Sequence, residues 1–477
     1  MRFYGRQQEL ERLAEIAARA RATGYLTMIT GRRRVGKTTL VKHFLQQHNV
    51  PHCYFFISRK QPRAILNEFT EILADKFPAI SGLRFDDFEG FFKFLFQKLG
   101  DTGLTVVMDE FQNFQYVDPA VFSILQKYWD EYKEKIKGHI IVIGSIQTLM
   151  HTIFEGRKEP LYKRLTGKII LQPFSFDEMR LFLDEQTGSD AKLSLRLYLL
   201  FNGMPFYYYL MEKESLFGKD LMEVIDRLIL RQDGLLFNEG KELTIEELGK
   251  NYGRYFSILE AVASGHTQWN HIAMHSGVSA NSLGKYLDEL CNYYGLIERK
   301  ASLFSRNDSK SSRYYLRDNF LTFWFRYVYK NASVLAEFST RRFLPKIKND
   351  LPNFWGFQFE KFIKDWFQRQ CLIQPQKFPF DNVGKYWDKG ENEIDLLAYR
   401  QDGEACLVGE CKWNSKRISA TVLDKLTQSI ELISQKRKYK KFYKAIFVGD
   451  SMPVKLKEKL INQEVQVFEV MDYWGNE

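Results

Sequence analysis

Residues Tyr25 to Leu40, YLTMITGRRRVGKTTL, constrain the fold of this chain more than any other stretch. The pattern G-x-x-x-x-G-K-T follows an apolar β-type run and leads straight into a helical pattern, the strand-loop-helix setting in which such a loop holds phosphate. Gly31 and Gly36 let the backbone curl so that successive N–H groups point inward, and the helix opening there presents its positive end to an anion. Gly31, Arg34, Val35, Gly36, Lys37, Thr38 and Thr39 are therefore candidate contacts of a nucleoside triphosphate, taken as ATP. Lys37 is the residue to reach the β- and γ-phosphates, and the Thr38 hydroxyl is a candidate Mg2+ ligand.

Two further apolar runs fit the same sheet. Leu104 to Met108 (LTVVM) reads as a buried parallel strand and delivers Asp109 and Glu110 at its carboxyl end, where open α/β sheets bind ligands. Asp109 is the candidate Mg2+ ligand there, and Glu110 the candidate catalytic carboxylate that orients or polarises an attacking water. His139 to Ile143 (HIIVI) ends in Gly144-Ser145, where the Ser145 hydroxyl is positioned to sense a γ-phosphate.

The chain's 477 residues suit about three domains. A net charge of +10 and a pI near 9.0 make an acidic polymer, nucleic acid and DNA first, a candidate partner. No run approaches the roughly 18 apolar residues of a membrane span, and Met1 leads into a charged amphipathic helix instead of a signal peptide. The expectation is a cytoplasmic protein with no membrane partner. Cys53, Cys291, Cys371, Cys406 and Cys411 are scattered without a C-x-x-C, which suggests neither a disulfide framework nor a zinc knuckle. His271 and His275 stand four apart with no third ligand nearby and read as surface or packing residues.

FYGRQQELERL (Phe3 to Leu13), GRRRVGKT, VVMDEFQ (Val106 to Gln112), IVIGS (Ile141 to Ser145), PLYKR (Pro160 to Arg164) and NGMPFYYYL (Asn202 to Leu210) together resemble the archaeal-type ATPase family. These are AAA+/STAND-related P-loop proteins with kinship to origin-recognition ATPases. The resemblance implies that Gly5, Arg6 and Glu9 lead into the nucleotide fold and that Gly203 and Pro205 belong to a helical lid near the adenine. It also makes Arg164 a candidate arginine finger or γ-phosphate sensor, acting in its own chain or a neighbour's. A surface or lid-packing arginine is the alternative reading of the same residue.

A second region begins near Leu243. Tyr255 to Ser264, Trp269 to Ser276 and Ala280 to Tyr293 read as helices, the last carrying Leu283, Tyr286, Leu287 and Leu290 at helical spacing. Leu296 to Lys300 and Arg313 to Leu316 then read as strands around a polar loop, which makes a winged helix-turn-helix. Lys285, Arg306, Lys310 and Arg313 are candidate phosphate contacts, opposed by Asp288 and Glu289 on the same second helix. Asn331 to Asn353, of mixed charge, reads as a linker.

Downstream, Ile394 to Tyr399 and Ala405 to Trp413 are strand-like runs on either side of Asp402-Gly403, a hairpin signal. A two-residue loop there puts Gln401 opposite Glu404 and, counting back, Asp395 opposite Glu410. Lys412 falls on the same face by the period of two. Opposed Cβ atoms lie about 4.5–5.5 Å apart, close enough for two carboxylates to share a divalent cation. Asp395 with Glu410-x-Lys412 resembles the PD-(D/E)XK nucleases, in which the acids hold Mg2+ and the lysine orients water or offsets developing charge. With FEKF (Phe359 to Phe362) and ENEIDLLAY (Glu391 to Tyr399), the run is also similar to the nuclease-like domain of unknown function 234 that follows archaeal-type ATPases. That resemblance adds Glu360 as a further metal carboxylate and allows Mn2+ in place of Mg2+. The superfamily's usual proline before the first acid is absent, since Glu393-Ile394 stands there. A charged hairpin with an ordinary salt bridge and a catalytically silent nuclease relative are the competing readings. Lys436, Arg437, Lys438, Lys440 and Lys441 form a basic run that either tracks a phosphate backbone or ends a solvated helix.

The expected architecture is a multidomain α/β protein. It comprises a P-loop NTPase core with a parallel sheet (1–180), a helical lid (181–245), a winged helix-turn-helix (246–335), and a linker with a restriction-endonuclease-like α/β domain (336–477). Two functions follow. One is an ATPase coupled to a metal-dependent nuclease acting on nucleic acid. The other is an ATP-driven STAND-type signalling switch that binds a protein partner or assembles with itself, its nuclease fold silent.

Overall fold

The computed structural model of the chain describes residues 3–80, 82–188, 190–249, 252–305, 311–337, 340–389 and 392–469. Its strands are β1 (Tyr25–Gly31), β2 (His52–Phe56), β3 (Thr105–Asp109), β4 (His139–Gly144), β5 (Gly167–Leu171), β6 (Ile297–Lys300), β7 (Arg313–Leu316), β8 (Asn382–Trp387), β9 (Glu393–Tyr399), β10 (Ala405–Lys412), β11 (Lys441–Val448) and β12 (Val465–Glu469). The chain forms two compact units. One comprises the residues up to Phe174 together with Met204–Leu210, and the other comprises Ser175–Gly203 with everything from Met211 onward. Among the described residues no helix is long and apolar enough to cross a membrane.

The first unit is built on a parallel five-stranded sheet of order β2-β3-β4-β1-β5. Strands β3 and β4 are buried along their whole length, as parallel strands covered by helices on both faces must be, and this explains their uninterrupted apolar sequences. Aromatic side chains fill much of the adjoining core: Phe55 meets Phe91 edge-on at 5.4 Å between centroids, and Phe88 meets Phe114 in the same way at 5.4 Å. The helix Phe88–Thr102, which supplies several of these rings, starts where the Asp87 side chain accepts a hydrogen bond from the Gly90 N–H. The parallel order brings the carboxyl ends of β1, β3 and β4 to one edge of the sheet.

In the second unit the helices Gly253–Ala263, Trp269–Ser276 and Ala280–Asp288 precede the antiparallel pair β6 and β7, the order read from the sequence. The segment expected to be a linker is different. Most of it belongs to a 34-residue helix, Thr340–Ile373, that buries Phe343, Ile347, Leu351 and Phe354. Their spacing is helical, and it is this apolar stripe beneath the mixed charges that makes the segment a structural element. A second five-stranded sheet, of order β12-β11-β10-β9-β8, follows; β8, β9 and β10 pair antiparallel, and β10, β11 and β12 pair parallel. The helix Ala420–Lys436 covers one face through Leu426 and Ile433.

The described residues between β6 and β7 do not form a free wing. Leu303 N–H donates to the Lys385 carbonyl at 2.9 Å, Ser302 Oγ donates to the Trp387 carbonyl at 2.7 Å, and the Trp387 indole N–H donates to the Ser311 carbonyl at 2.7 Å. Strand β8 lies at the edge of its sheet, and this loop takes up peptide groups that an edge leaves unpaired. Arg313, expected to meet phosphate, instead pairs with Glu393 at 2.7 Å and lies over the Trp387 ring at 4.7 Å. That corrects its assignment: the Glu393 carboxylate and an indole face already hold the guanidinium. Arg306 and Lys310 lie outside the described residues.

Candidate functional site

The loop between β1 and the helix Lys37–Gln47 has the form expected of a phosphate cradle. A Cβ on Gly31 would come within 2.4 Å of the Leu171 carbonyl oxygen, so only glycine lets the loop leave β1 beside β5. Gly36 takes φ 94 and Arg34 takes φ 71, so the loop's N–H groups turn inward before the helix starts. The Lys37 ammonium donates to the loop's own carbonyls, Gly31 at 2.9 Å and Arg32 at 3.0 Å. Thr38 Oγ1 donates to Asp109 Oδ2 at 2.8 Å, which joins the start of this helix to the end of β3.

These residues fit ATP with Mg2+. The space over Gly36 is open, with nothing within 4 Å of an added Cβ, and Thr38 and Asp109 supply the oxygen donors that a hard cation takes. Lys37 and the loop N–H groups, those of Arg34, Val35 and Thr39 included, would hold the phosphates. A bound cation would offset charge on the phosphate oxygens.

Glu110, at φ 56 just past β3, turns its carboxylate towards β4. Its Oε2 accepts from Ser145 Oγ at 2.8 Å and from the Gln112 amide. Ser145 thus positions the carboxylate in addition to any contact it makes with phosphate.

Three residues take contacts at the loop that the sequence reading did not assign to them. Arg6, inside the G-R-x-x-E stretch, donates to the Val35 carbonyl at 3.2 Å, pairs with Glu9 at 3.2 Å and lies over Phe174 at 3.9 Å, bracing the loop from behind. Tyr54 on β2 donates to Asp109 Oδ2; burial, reinforced by the Asp109 charge, raises its pKa. Phe206, immediately after Pro205, carries the Arg34 guanidinium on its ring at 4.0 Å. A tyrosine within β2 and the ring beside the G-x-P element were the available signals.

Arg164 does not reach this loop. It lies just before β5, where Thr166 N–H bonds the Leu26 carbonyl near the start of β1, and its guanidinium grips Asp130 at 2.8 Å. The nucleotide loop is at the other end of β1, so the parallel direction of the strands removes a sensor role within its own chain.

In the second unit, β9 and β10 pair from Tyr399 with Cys406 to Leu396 with Gly409, so Asp395 and Glu410 are the next residues along the ladder, in the register expected. The connecting turn is wider than two residues, closed by Arg400 N–H on the Ala405 carbonyl at 2.9 Å, and Gln401 and Glu404 fall in the loop. Widening adds one residue to each side, which leaves the register intact. Asp395 is 7% exposed and Glu410 1%. Lys412 Nζ lies 2.7 Å from Glu410 Oε2 and 3.9 Å from Asp395 Oδ2, and Cys411 N–H donates to Asp395 Oδ2 at 2.9 Å.

Lys425, on the covering helix, forms a second ion pair with Glu410, which the sequence reading missed. Burial and the Asp395 charge push the Glu410 pKa up, against the pull of Lys412 and Lys425. Burial disfavours the Lys412 ammonium, but Glu410 and Asp395 outweigh it and its pKa is raised. Glu360 pairs with Lys385 of β8, and burial, helped by Asp395, pushes its carboxyl up to about 7. No group of three or more His, Cys, Asp or Glu side chains arranged to hold a metal occurs among the described residues. The arrangement is a carboxylate pair bracketed by lysines, with Glu360 coupled to it through charge.

Residues 3–197 match a family described as an ATPase domain predominantly from Archaea, and residues 324–424 match one described as archaeal and bacterial proteins of unknown function. The uncharacterised protein MJECL04 of Methanocaldococcus jannaschii is 30% identical over 412 residues, 86% of this chain and 87% of its own length. Among solved structures, the Walker-type ATPase PABY2304 of Pyrococcus abyssi has a TM-score of 0.53 at 20% identity, covering 68% of this chain and 96% of its own; that likeness is one of fold. The Aeropyrum pernix ORC2 protein has a TM-score of 0.48 at 16% identity, over 70% and 95%. With its phosphate loop, its matched ATPase domain and a relative spanning most of its length, this chain belongs to the archaeal-type P-loop ATPases that carry a C-terminal domain of unknown function.

Proposed function

We propose that this ATPase uses its nucleotide state to govern a divalent-cation-dependent phosphodiester hydrolysis centre, acting on nucleic acid, DNA first. The observation that carries the reading is the convergence of two buried carboxylates, Asp395 and Glu410, with the Lys412 ammonium within 4 Å of both. The two acids would hold Mg2+ or Mn2+ between them, Glu360 being engaged by Lys385 instead of joining them as a third ligand, and Lys412 would offset charge that grows on the phosphate in the transition state. Lys285, 76% exposed, remains a candidate phosphate contact. The basic run is partly engaged: Arg437 lies over Phe304 at 4.5 Å and Lys440 pairs with Glu404 at 2.5 Å. In a self-assembled form, Arg164 would serve a neighbour's nucleotide.

A second reading is favoured by one feature, the neutralisation of Glu410 by both Lys412 and Lys425. On it the C-terminal unit is silent and the ATPase is a switch for a protein partner. Incubating end-labelled DNA and RNA with the protein in Mg2+ or Mn2+, with and without ATP, separates the two. Cleavage that is lost on chelation and in Asp395→Ala and Lys412→Ala, with ATP binding retained, supports the first. Intact substrate under every condition leaves the switch.

A further inference from the structure

A cavity of about 540 Å3 opens in the second unit between the loop after β6, strand β8 and the helix Thr340–Ile373. Five cationic side chains line it, Lys300, Lys361, Lys364, Lys385 and Arg437, and no carboxylate does. Three of them are matched by acids behind the wall: Lys300 with Glu298 at 2.7 Å, Lys364 with Asp365 at 3.2 Å, and Lys385 with Glu360. Lys361 and Arg437 form no ion pair within 4 Å among the described residues, although the charges of Glu298, Asp365 and Asp318 act on Lys361 from farther off. The Lys361 ammonium is held only by neutral oxygens, the Arg317 carbonyl at 2.8 Å and those of Leu316 and Asn319 at 3.3 Å each. Arg437 rests on aromatic faces, Phe304 at 4.5 Å and Tyr399 at 5.5 Å, and its guanidinium also interacts with the Tyr439 hydroxyl.

Gln358 also lines the cavity. It is 2% exposed, and its Oε1 has no hydrogen-bond partner. A buried amide oxygen left unpaired is costly, and sites built to bind polar groups are where such an atom is tolerated. Aromatic side chains also line it, Phe304, Tyr315, Phe357, Trp387 and Tyr399, alongside small and aliphatic residues. Aromatic faces suit a planar ring, a buried amide suits the polar edge of that ring, and unpaired cations suit phosphate.

We infer that this cavity binds a nucleoside phosphate, its base between the aromatic walls and at Gln358, its phosphate at Lys361 and Arg437. The volume is in the range of about 300–1,000 Å3 typical of pockets for ligands of that size. The inference holds whether or not Asp395 and Glu410 cleave anything. A ligand there would touch the residues following β6, strand β8 and the long helix together. The same chemistry is offered by a free nucleotide and by the terminal nucleotide of a nucleic acid strand.

The test uses the full chain carrying Lys37→Ala, which removes binding at the phosphate loop. 5′-AMP, the pentanucleotide d(pA)5 and inorganic phosphate are titrated separately by isothermal calorimetry. Saturable binding of AMP or of the pentanucleotide is expected, weakened about tenfold or more by Arg437→Ala, an exposed position. Gln358→Leu should weaken binding while raising the melting temperature of the ligand-free protein, a pairing that a purely structural glutamine would not produce. Tighter binding of AMP points to a free nucleotide, and tighter binding of d(pA)5 to a strand end. Absence of saturable binding by both, or binding unchanged in both variants, overturns the site. Inorganic phosphate binding as tightly as AMP overturns the nucleoside part.

Discussion

Replacing Lys412 by methionine removes an ammonium that lies 2.7 Å from Glu410 and 3.9 Å from Asp395, and keeps most of the apolar stem. Water cannot take its place at an acid that is 1% exposed. Breaking a buried ion pair costs about 3–5 kcal/mol, chiefly because the surviving charge is left uncompensated. Lys425 keeps a second ammonium on Glu410, so the expected loss is at the low end, ~3 kcal/mol, or roughly 150-fold in the ratio of folded to unfolded protein. Urea unfolding followed by tryptophan fluorescence measures it, with Trp413 adjacent to the site. If the two acids can hold a divalent cation, Mn2+ at a hundred times its dissociation constant should return about 2.7 kcal/mol to the Lys412→Met protein. The return should vanish in Asp395→Asn/Lys412→Met, which controls for cations bound at the nucleotide loop. A loss below about 1 kcal/mol would mean that Lys412, 22% exposed, acts as a solvent-screened surface lysine. No Mn2+-dependent return would refute the cation site itself.

Glu110→Gln keeps the size of the side chain but removes the carboxylate, so ATP turnover should fall by about 10²-fold or more with ATP still bound; undiminished turnover in a single-turnover assay would place water activation elsewhere. Arg164→Ala should leave nucleotide affinity unchanged and lower turnover, by up to about 10³-fold, only at concentrations where chains assemble. The same loss at every dilution would exclude action on a neighbour. His139, 1% exposed with Nε2 2.8 Å from Thr27 Oγ1, is pushed down to about 3 by burial from an ordinary value of 6.5. The unfolded chain therefore takes up the proton first, so this neutral ring contributes stability that is full above pH 6.5 and is lost as pH falls towards 3, at no more than about 1.4 kcal/mol per unit. A ring resonance that titrates above pH 5 in the folded protein, or an acid limb unchanged by His139→Gln, would contradict that.

Much of the nucleotide site is legible in sequence because it is local. A strand, a glycine loop and a helix within sixteen residues leave the chain little choice, and uninterrupted apolar runs announce strands buried on both faces, so Asp109, Glu110 and Ser145 arrive together at one edge. The hairpin is legible for a related reason. Side chains alternate with period two, so Asp395 and Glu410 keep their register although the turn is wider than expected.

The contacts that chain-local rules leave open are those between segments far apart. Nothing near Glu410 in sequence announces Lys425, and nothing near Arg313 announces Glu393, 80 residues on. Likewise the fate of the loop after β6 depended on an edge strand that appears only once the second sheet exists. The direction of β5 and its pairing with β1 decided that Arg164 stands away from its own loop. By itself the sequence determined the elements, their periodicity and the residues they carry to their ends, because stereochemistry acts over a few residues. Tertiary structure alone decided which cations remain free and which are already paired, because charge compensation is settled by what packs beside a group once the whole chain has folded.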